Sequence, residues 1–318
     1  MQNICIFGSS GFIGSYYIRK YKNNITRPII IHKFDITGKD FRFIDVRNKI
    51  EIKDSFNPSD VIINLAAVHK TPGHLDHEYF ETNIKGAENV CAFAEEKGIN
   101  NIIFTSSIAP YGASEDLKLE KTLTTPNTPY GISKLVAEHV HKTWQARDIN
   151  NRKLLIIRPG VVFGKGENGN YTRLYKALRT KRFFYPGRKD TVKACIYVKD
   201  LVDLSLDIFE SYNSGTKTYN FTYEPAPTIK EIVDTISTVT KVLNPKLVLN
   251  GQILKAVALV LGSIGFKKYG IHPDRVKKLM TSTNISGEKL ITDNFKPKYN
   301  LEKAISDWFK DCNEKGLF

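Results

Sequence analysis

Six short apolar runs in the first 160 residues constrain this chain more than anything else in it: "NICIFG", "RPIIIH", "FRFIDV", "DVIINLAA", "NIIFTSS" and "KLLIIRPG". Each is continuous and bounded by turn signals, the pattern of a strand buried on both faces. Between them lie amphipathic stretches. In "HEYFETNIKGAENVCAFAEEKG", Phe80, Ile84, Val90 and Phe93 form a rough helical stripe. Strands that alternate with helices in this way build a parallel sheet covered on both faces, so the expected fold class is α/β with a doubly wound parallel sheet.

Past residue 163 the rhythm breaks. "GKGENGN" reads as loop, "YTRLYKALRTKRFF" as helix, "KACIYVKDLVDLSLDIF" as strand then helix, and "KTYNFT" as one more strand. "TIKEIVDTISTV" opens with a capping box, Thr228 to Glu231, and sets Ile229, Ile232, Val233 and Ile236 on one face. The expected organisation is a large domain of residues 1–163 and 194–222, with a smaller, discontinuous C-terminal lobe of residues 164–193 and 223–318.

Composition excludes several classes. A chain of 318 residues with 41% hydrophobic content is an ordinary globular protein. Cys5, Cys91, Cys195 and Cys312 show no CxxC or Cys/His ligand spacing, so no metal is expected and they read as reduced thiols of a cytoplasmic protein. The N-terminus has neither the basic region nor the uninterrupted apolar run of a signal peptide. The net charge of +14 raises the question of polyanionic partners. Lysines and arginines are scattered, with local clusters at 27–39, 181–189 and 267–278, and no RNA-binding signature accompanies them, so no nucleic-acid partner is expected. "ILKAVALVLGSIGF", residues 253–266, contains Lys255 and falls short of the roughly 20 residues needed to span a bilayer. It reads as a helix of the C-terminal lobe, or one lying on a surface.

"GSSGFIG" places Gly8, Gly11 and Gly14 between the first strand and the first helix. Gly8 permits a tight turn, Gly11 lets the backbone approach a pyrophosphate, and Gly14 lets the helix pack closely. The backbone from Ser10 through Phe12 and Ile13 then faces the phosphates of a dinucleotide, aided by the helix dipole. Further on, "PYGISK" sets Tyr130 and Lys134 four apart on one helix face. An ammonium beside a phenol favours phenolate, so Tyr130 is expected to exchange a proton with a substrate hydroxyl near neutral pH. "NIIFTSSIAPYG" ends a strand with Thr105, Ser106 and Ser107, at the strand ends where ligands bind in such sheets. Ser107 can hydrogen-bond the substrate oxygen that Tyr130 protonates. No G-x-S-x-G elbow points to hydrolysis instead.

With these motifs the sequence resembles the extended short-chain dehydrogenase/reductases, in particular the NAD-dependent epimerase/dehydratase group that modifies nucleotide sugars, built on a Rossmann-type sheet. "FIDVRN", "INLAAVH", "ETNIKGAENV", "IIRPGVVFG" and "IYVKDLV" extend the resemblance along nearly the whole chain. It implies Ser107, Tyr130 and Lys134 as the catalytic set, with Lys134 also on the nicotinamide ribose. It implies Asp45 and Val46 at the adenine, Leu65, Ala66 and Ala67 along the ribose and nicotinamide, Thr105 on the cofactor side, and Pro159 to Val162 near the carboxamide. Asn83 would support the active-site backbone. Ser107, Ile108 and His69 would face the sugar, and Lys193 and Arg275 the diphosphate. A homodimer through the helices that hold Asn83 and Tyr130 is implied as well.

Three departures matter. Ile108 and Ala109 stand where 4,6-dehydratases of the group carry an Asp-Glu pair, which disfavours water elimination. Many epimerases have Arg-Asp where this chain has Lys193 and Ala194, and lysine lacks arginine's bidentate fork. In "IIIHKFD", His32 and Lys33 lie about where NAD-preferring members end their second strand with an acid, and Asp35 follows. A base there would pair the 2′-phosphate of NADP(H), whereas Asp35 would take the ribose of NAD.

The function expected is an NAD(P)-dependent oxidoreductase acting at C4 of a nucleoside-diphosphate sugar. His32 and Lys33 tilt this toward a 4-ketosugar reductase using NADPH. The alternative is a 4-epimerase with tightly bound NAD+. A sterol-type dehydrogenase, or a non-catalytic cofactor- or RNA-binding protein, are further alternatives.

Overall fold

The computed structural model describes residues 2–23, 29–37, 40–70, 73–250 and 280–318. Arg275 and the apolar stretch 253–266 lie outside these residues. Seven parallel strands form the central sheet: β1 (Gln2–Phe7), β2 (Ile29–Asp35), β3 (Arg42–Phe43), β4 (Val61–Asn64), β5 (Asn101–Thr105), β7 (Lys153–Pro159) and β11 (Gly215–Phe221), in the order β11-β7-β5-β4-β1-β2-β3. The strand order reverses between β1 and β4, which opens a crevice at their carboxyl ends.

Alternation along the strands sorts side chains into two cores. Ile4, Ile6, Val61, Ile63, Ile103, Leu155 and Ile157 face one side, and Cys5, Phe7, Ile62, Ile102, Phe104, Leu154 and Ile156 face the other. Helix α3 (Lys85–Glu96) supplies Val90, Phe93 and Ala94 to the second face, and α4 (Pro129–Ala146) supplies Ala137 and Trp144. On the first face lie α1 (Phe12–Lys22) and α6 (Val198–Glu210). The run "FRFIDV" departs from expectation: only Arg42–Phe43 is strand, both residues are exposed, and Phe43 keeps 71% of its surface in water. It is an edge strand with one neighbour, so no second strand or helix closes over it.

The later chain builds small parallel pairs around the sheet: β8 (Val161–Phe163) with β10 (Cys195–Tyr197), β9 (Tyr185–Pro186) with β12 (Val248–Leu249), and β6 (Ser114–Lys118) with β13 (Thr283–Ile285). Helices α5 (Asn170–Arg179), α7 (Ile229–Thr240), α8 (Glu288–Thr292) and α9 (Leu301–Asp311) complete it; the short α2 (Asp76–Tyr79) lies between β4 and α3. Tyr175, Val233 and Trp308 join the same core as Ile6 and Leu155, so the C-terminal elements pack on the sheet rather than around a core of their own. Phe163 stacks on Tyr171 at 4.5 Å within this contact. Among the described residues no helix is long and apolar enough to cross a membrane.

Candidate active site

The glycine turn follows β1 directly. Gly8 has φ +77°, and a Cβ there would lie 2.9 Å from the Ala66 nitrogen, so the turn needs both the left-handed backbone and the missing side chain. A Cβ on Gly14 would meet the Gly8 oxygen at 2.7 Å, which shows the first turn of α1 seated on the loop itself. Gly11 is the N-cap of α1, no side chain caps that end, and the first turn holds no acid. The arrangement leaves a helix N-terminus ready for an anion, between the end of β1 and Leu65–Ala67 beyond β4.

The residue of β2 that reaches this turn is Asp35. Its Oδ2 accepts the Ser10 N–H at 2.9 Å and its Oδ1 the Ile36 N–H at 2.8 Å. His32 and Lys33 pair in register with Cys5 and Ile6 in the body of the sheet. His32 bonds Asn3 at 3.0 Å and lies 3.6 Å from Asp54, with burial lowering its pKa. The Lys33 ammonium sits over the Phe41 ring at 5.1 Å. Of the two alternatives for that place, β2 carries the Asp35 carboxylate to the glycine loop, while His32 and Lys33 lie earlier in the strand.

Tyr130 and Lys134 are positioned by the start of α4. Thr128 is its N-cap, accepting the Gly131 N–H at 3.1 Å, and Pro129 fills the first turn, where no amide is needed. Asn83 sits in a π-helical turn, Phe80–Ile84, between α2 and α3. Its Oδ1 accepts the Val68 N–H at 2.8 Å, while its Nδ2 donates to the Val68 oxygen at 3.0 Å and to Ser133 Oγ at 2.8 Å. Ser133 in turn donates to the Tyr130 carbonyl at 2.9 Å. Asn83 thereby ties the segment after β4 to α4.

Ser107 follows β5, and its Oγ accepts the Ala109 N–H at 3.1 Å. Burial raises the Tyr130 pKa above its ordinary value, and the polar Ser107 side chain beside the phenol works against that. Lys134 is 2% exposed with its ammonium 4.4 Å from the centre of the Phe104 ring. Burial brings its pKa from 10.5 to about 7, while the Glu138 carboxylate holds it up. The structure thus corrects the simple expectation of a phenol lowered toward neutrality: in the protein alone, burial disfavours both charges. Tyr130 is half-buried beside Tyr79, ring centres 6.2 Å apart.

Behind this set runs a buried polar chain that the sequence analysis missed. Glu138, one turn beyond Lys134, accepts from Ser106 Oγ at 2.6 Å and from Arg158 through Nε at 2.8 Å and a terminal nitrogen at 2.6 Å. Arg158 also donates to the Tyr111 hydroxyl at 2.7 Å, which donates to Asn220 at 2.8 Å. Two charges inside apolar patterns, in "SKLVAEHV" and "LLIIRPG", were the available signal.

The model of the NAD-dependent epimerase/dehydratase family matches residues 4–221, more than two thirds of the chain. The chain belongs to this family. It is similar to the N-acetyl-alpha-D-glucosaminyl-diphospho-ditrans,octacis-undecaprenol 4-epimerase of Escherichia coli O157:H7, 28% identical, covering 96% of this chain and 93% of that one. It is also similar to a UDP-glucose 4-epimerase of Pisum sativum, 24% identical over 73% of this chain and 79% of the other. Among solved structures, MoeE5 in complex with UDP-glucuronic acid and NAD superposes with a TM-score of 0.73, covering 98% of this chain and 99% of that chain at 19% identity. This epimerase/dehydratase family member is accordingly an enzyme of the short-chain dehydrogenase/reductase type that works with a nicotinamide cofactor.

The other expected residues of this family member divide between open and occupied. Thr105 presents a buried hydroxyl without a hydrogen-bond partner at the end of β5, as a cofactor-facing group would. With the uncapped start of α1 and Asp35, it fits a dinucleotide lying from Gly8–Gly14 across Leu65–Ala67 toward Tyr130. Asp45 is gripped by Arg47 through three contacts, the shortest 2.6 Å, which lowers its pKa. Val46 is buried and its oxygen accepts from Asn89 at 2.7 Å. Pro159 closes β7, and Val162, in β8, packs on the core. Ile108 packs with Tyr111, Ala194 and Ile285. His69 is half-buried, and burial first, then Lys70, lower its pKa. Lys193 donates to the Thr281 carbonyl at 2.8 Å.

Proposed function

We propose that this chain is a 4-epimerase that retains NAD, withdraws hydride from C4 of a sugar carried on a diphosphate, and returns it to the opposite face. The observation that carries the cofactor reading is Asp35. A carboxylate bonded to the glycine loop suits the ribose hydroxyls of NAD and repels a 2′-phosphate, while Lys33 has its ammonium over Phe41. This favours NAD over NADP, and with the names of the relatives it favours the self-contained epimerase over a 4-ketosugar reductase.

Bound NAD supplies the acceptor and then the donor of hydride. Tyr130 takes the O4 proton as the C4 hydride leaves, giving a 4-keto sugar, and returns it after the sugar presents its other face. Ser107 holds the same oxygen, and Lys134 carries the positive charge that steadies the deprotonated phenol. Atoms balance with no outside reductant. Residues 164–193 and 223–318 supply the substrate side in this reading, and a homodimer through α3 and α4, where Ile132 and Val136 are exposed, goes with it.

The carrier we infer is a polyprenyl diphosphate, supported by the Escherichia coli relative, whose similarity spans nearly both chains. Purified protein, given N-acetylglucosaminyl-diphospho-polyprenol or UDP-N-acetylglucosamine with no added cofactor, tests it. The expected result is the galacto epimer from the lipid-linked sugar. Conversion of the nucleotide sugar alone would overturn the carrier, and conversion of neither would overturn the epimerase.

A further inference from the structure

The lysines and arginines are scattered, but most of the net positive excess falls in two stretches. Residues 164–193 hold nine lysines and arginines against two acids, and residues 223–279 hold nine against four, which together account for +12 of the net +14. Pairing of β9 with β12 joins the described parts of the two stretches: Val248 lies opposite Tyr185, and the Tyr185 N–H donates to the Leu247 oxygen at 2.9 Å. Just before β9, Lys181 and Arg182 are exposed, and just before β12 so is Lys246. Among the described residues none of the three enters an ion pair. Beside them, Leu243, Leu247 and Val248 keep 62%, 58% and 41% of their surface in water.

We infer that this face, Leu243, Leu247 and Val248 with Lys181, Arg182 and Lys246, docks the enzyme on an anionic lipid bilayer. Exposed aliphatic side chains near exposed cations suit a lipid interface: the apolar groups enter the acyl boundary and the cations stay at the headgroups. Nucleic acid would be served by the cations and would gain nothing from three exposed aliphatics. The chain continues from this face into residues 251–279, where the sequence is apolar over 253–266 and then carries Lys267 and Lys268. A polyprenyl-linked sugar resides in such a membrane, and the inference takes its purpose, though not its test, from that reading of the substrate.

The test is co-sedimentation of the purified full chain with sugar-free vesicles of phosphatidylcholine alone or mixed with phosphatidylglycerol. Binding is expected to the mixed vesicles only and to weaken with salt. Leu243→Glu/Leu247→Glu and Lys181→Glu/Arg182→Glu should each lower partitioning about tenfold or more, with melting temperature and cofactor retention unchanged. A protein that stays in the supernatant, or binding that survives both double variants, overturns the inference. So would a change of oligomeric state in the leucine variant without any vesicle binding, which would make a second copy the occupant. Failure here leaves epimerisation of the lipid-linked sugar to be measured in detergent, and failure of that reaction leaves the vesicle result standing.

Discussion

At the scale of single residues, the proposed trio of Ser107, Tyr130 and Lys134 could be picked out because its members sit at fixed spacings on predictable elements. Tyr130 and Lys134 share a helix face, and Ser107 lies two residues beyond a strand whose apolar run is plain. Tyr130→Phe keeps the ring and loses the hydroxyl. Turnover should fall by about a hundredfold or more, with cofactor content unchanged on gentle denaturation; normal turnover would remove Tyr130 from proton transfer. The acid that meets the glycine loop was harder to place, because a strand's last residue depends on register. His32 and Lys33 precede Asp35 by so little that only the pairing of Phe34 with Phe7 decides which side chain meets the glycine loop. Asp35→Asn should loosen NAD and improve NADP relative to it, read by the ratio of the two dissociation constants. An unchanged ratio would show that Asp35 does not read the ribose.

At the scale of elements, α4 does more than carry Tyr130 and Lys134. Its Glu138, 0% exposed, and Arg158 of β7 form an ion pair deep between helix and sheet, and Ser106 joins them beside Ser107. Removing one charge leaves the other buried and uncompensated. Glu138→Gln should cost about 3–5 kcal/mol of stability, and Glu138→Gln/Arg158→Met should cost less than the two single changes added together. Urea unfolding of the four proteins checks this; simple additivity would mean that the charges act independently. The strands β1, β4, β5 and β7 were readable from apolar runs alone, since both their faces are covered. By contrast the polar β6 and the π-helical turn around Asn83 are set by neighbours distant in sequence, so no local pattern announces them, and "FRFIDV" announced a longer strand than the two residues that form.

At the scale of the whole molecule, α6 and the C-terminal segment are joined through Asp200. Its Oδ1 accepts the Lys298 N–H at 2.8 Å and, longer, the Tyr299 N–H at 3.4 Å, while its Oδ2 is buried without a partner. Burial lifts its pKa from 3.8 to about 6, against the pull of those amides. A raised acid binds its proton more tightly in the folded state, so its cost to stability grows as pH rises from about 4 to 6 and is complete above that. Asp200→Asn should therefore add roughly 1–3 kcal/mol near neutral pH and nothing at pH about 4. Urea unfolding at both pH values reads it, and an equal effect at the two would rule out the buried charge as the cause. The central claim, that hydride leaves C4 and returns to it within one enzyme, is tested most directly with a C4-deuterated sugar on its diphosphate carrier and no added cofactor. The account predicts epimer that keeps its deuterium; product that has lost the label, or that forms only when reduced cofactor is supplied, would contradict it.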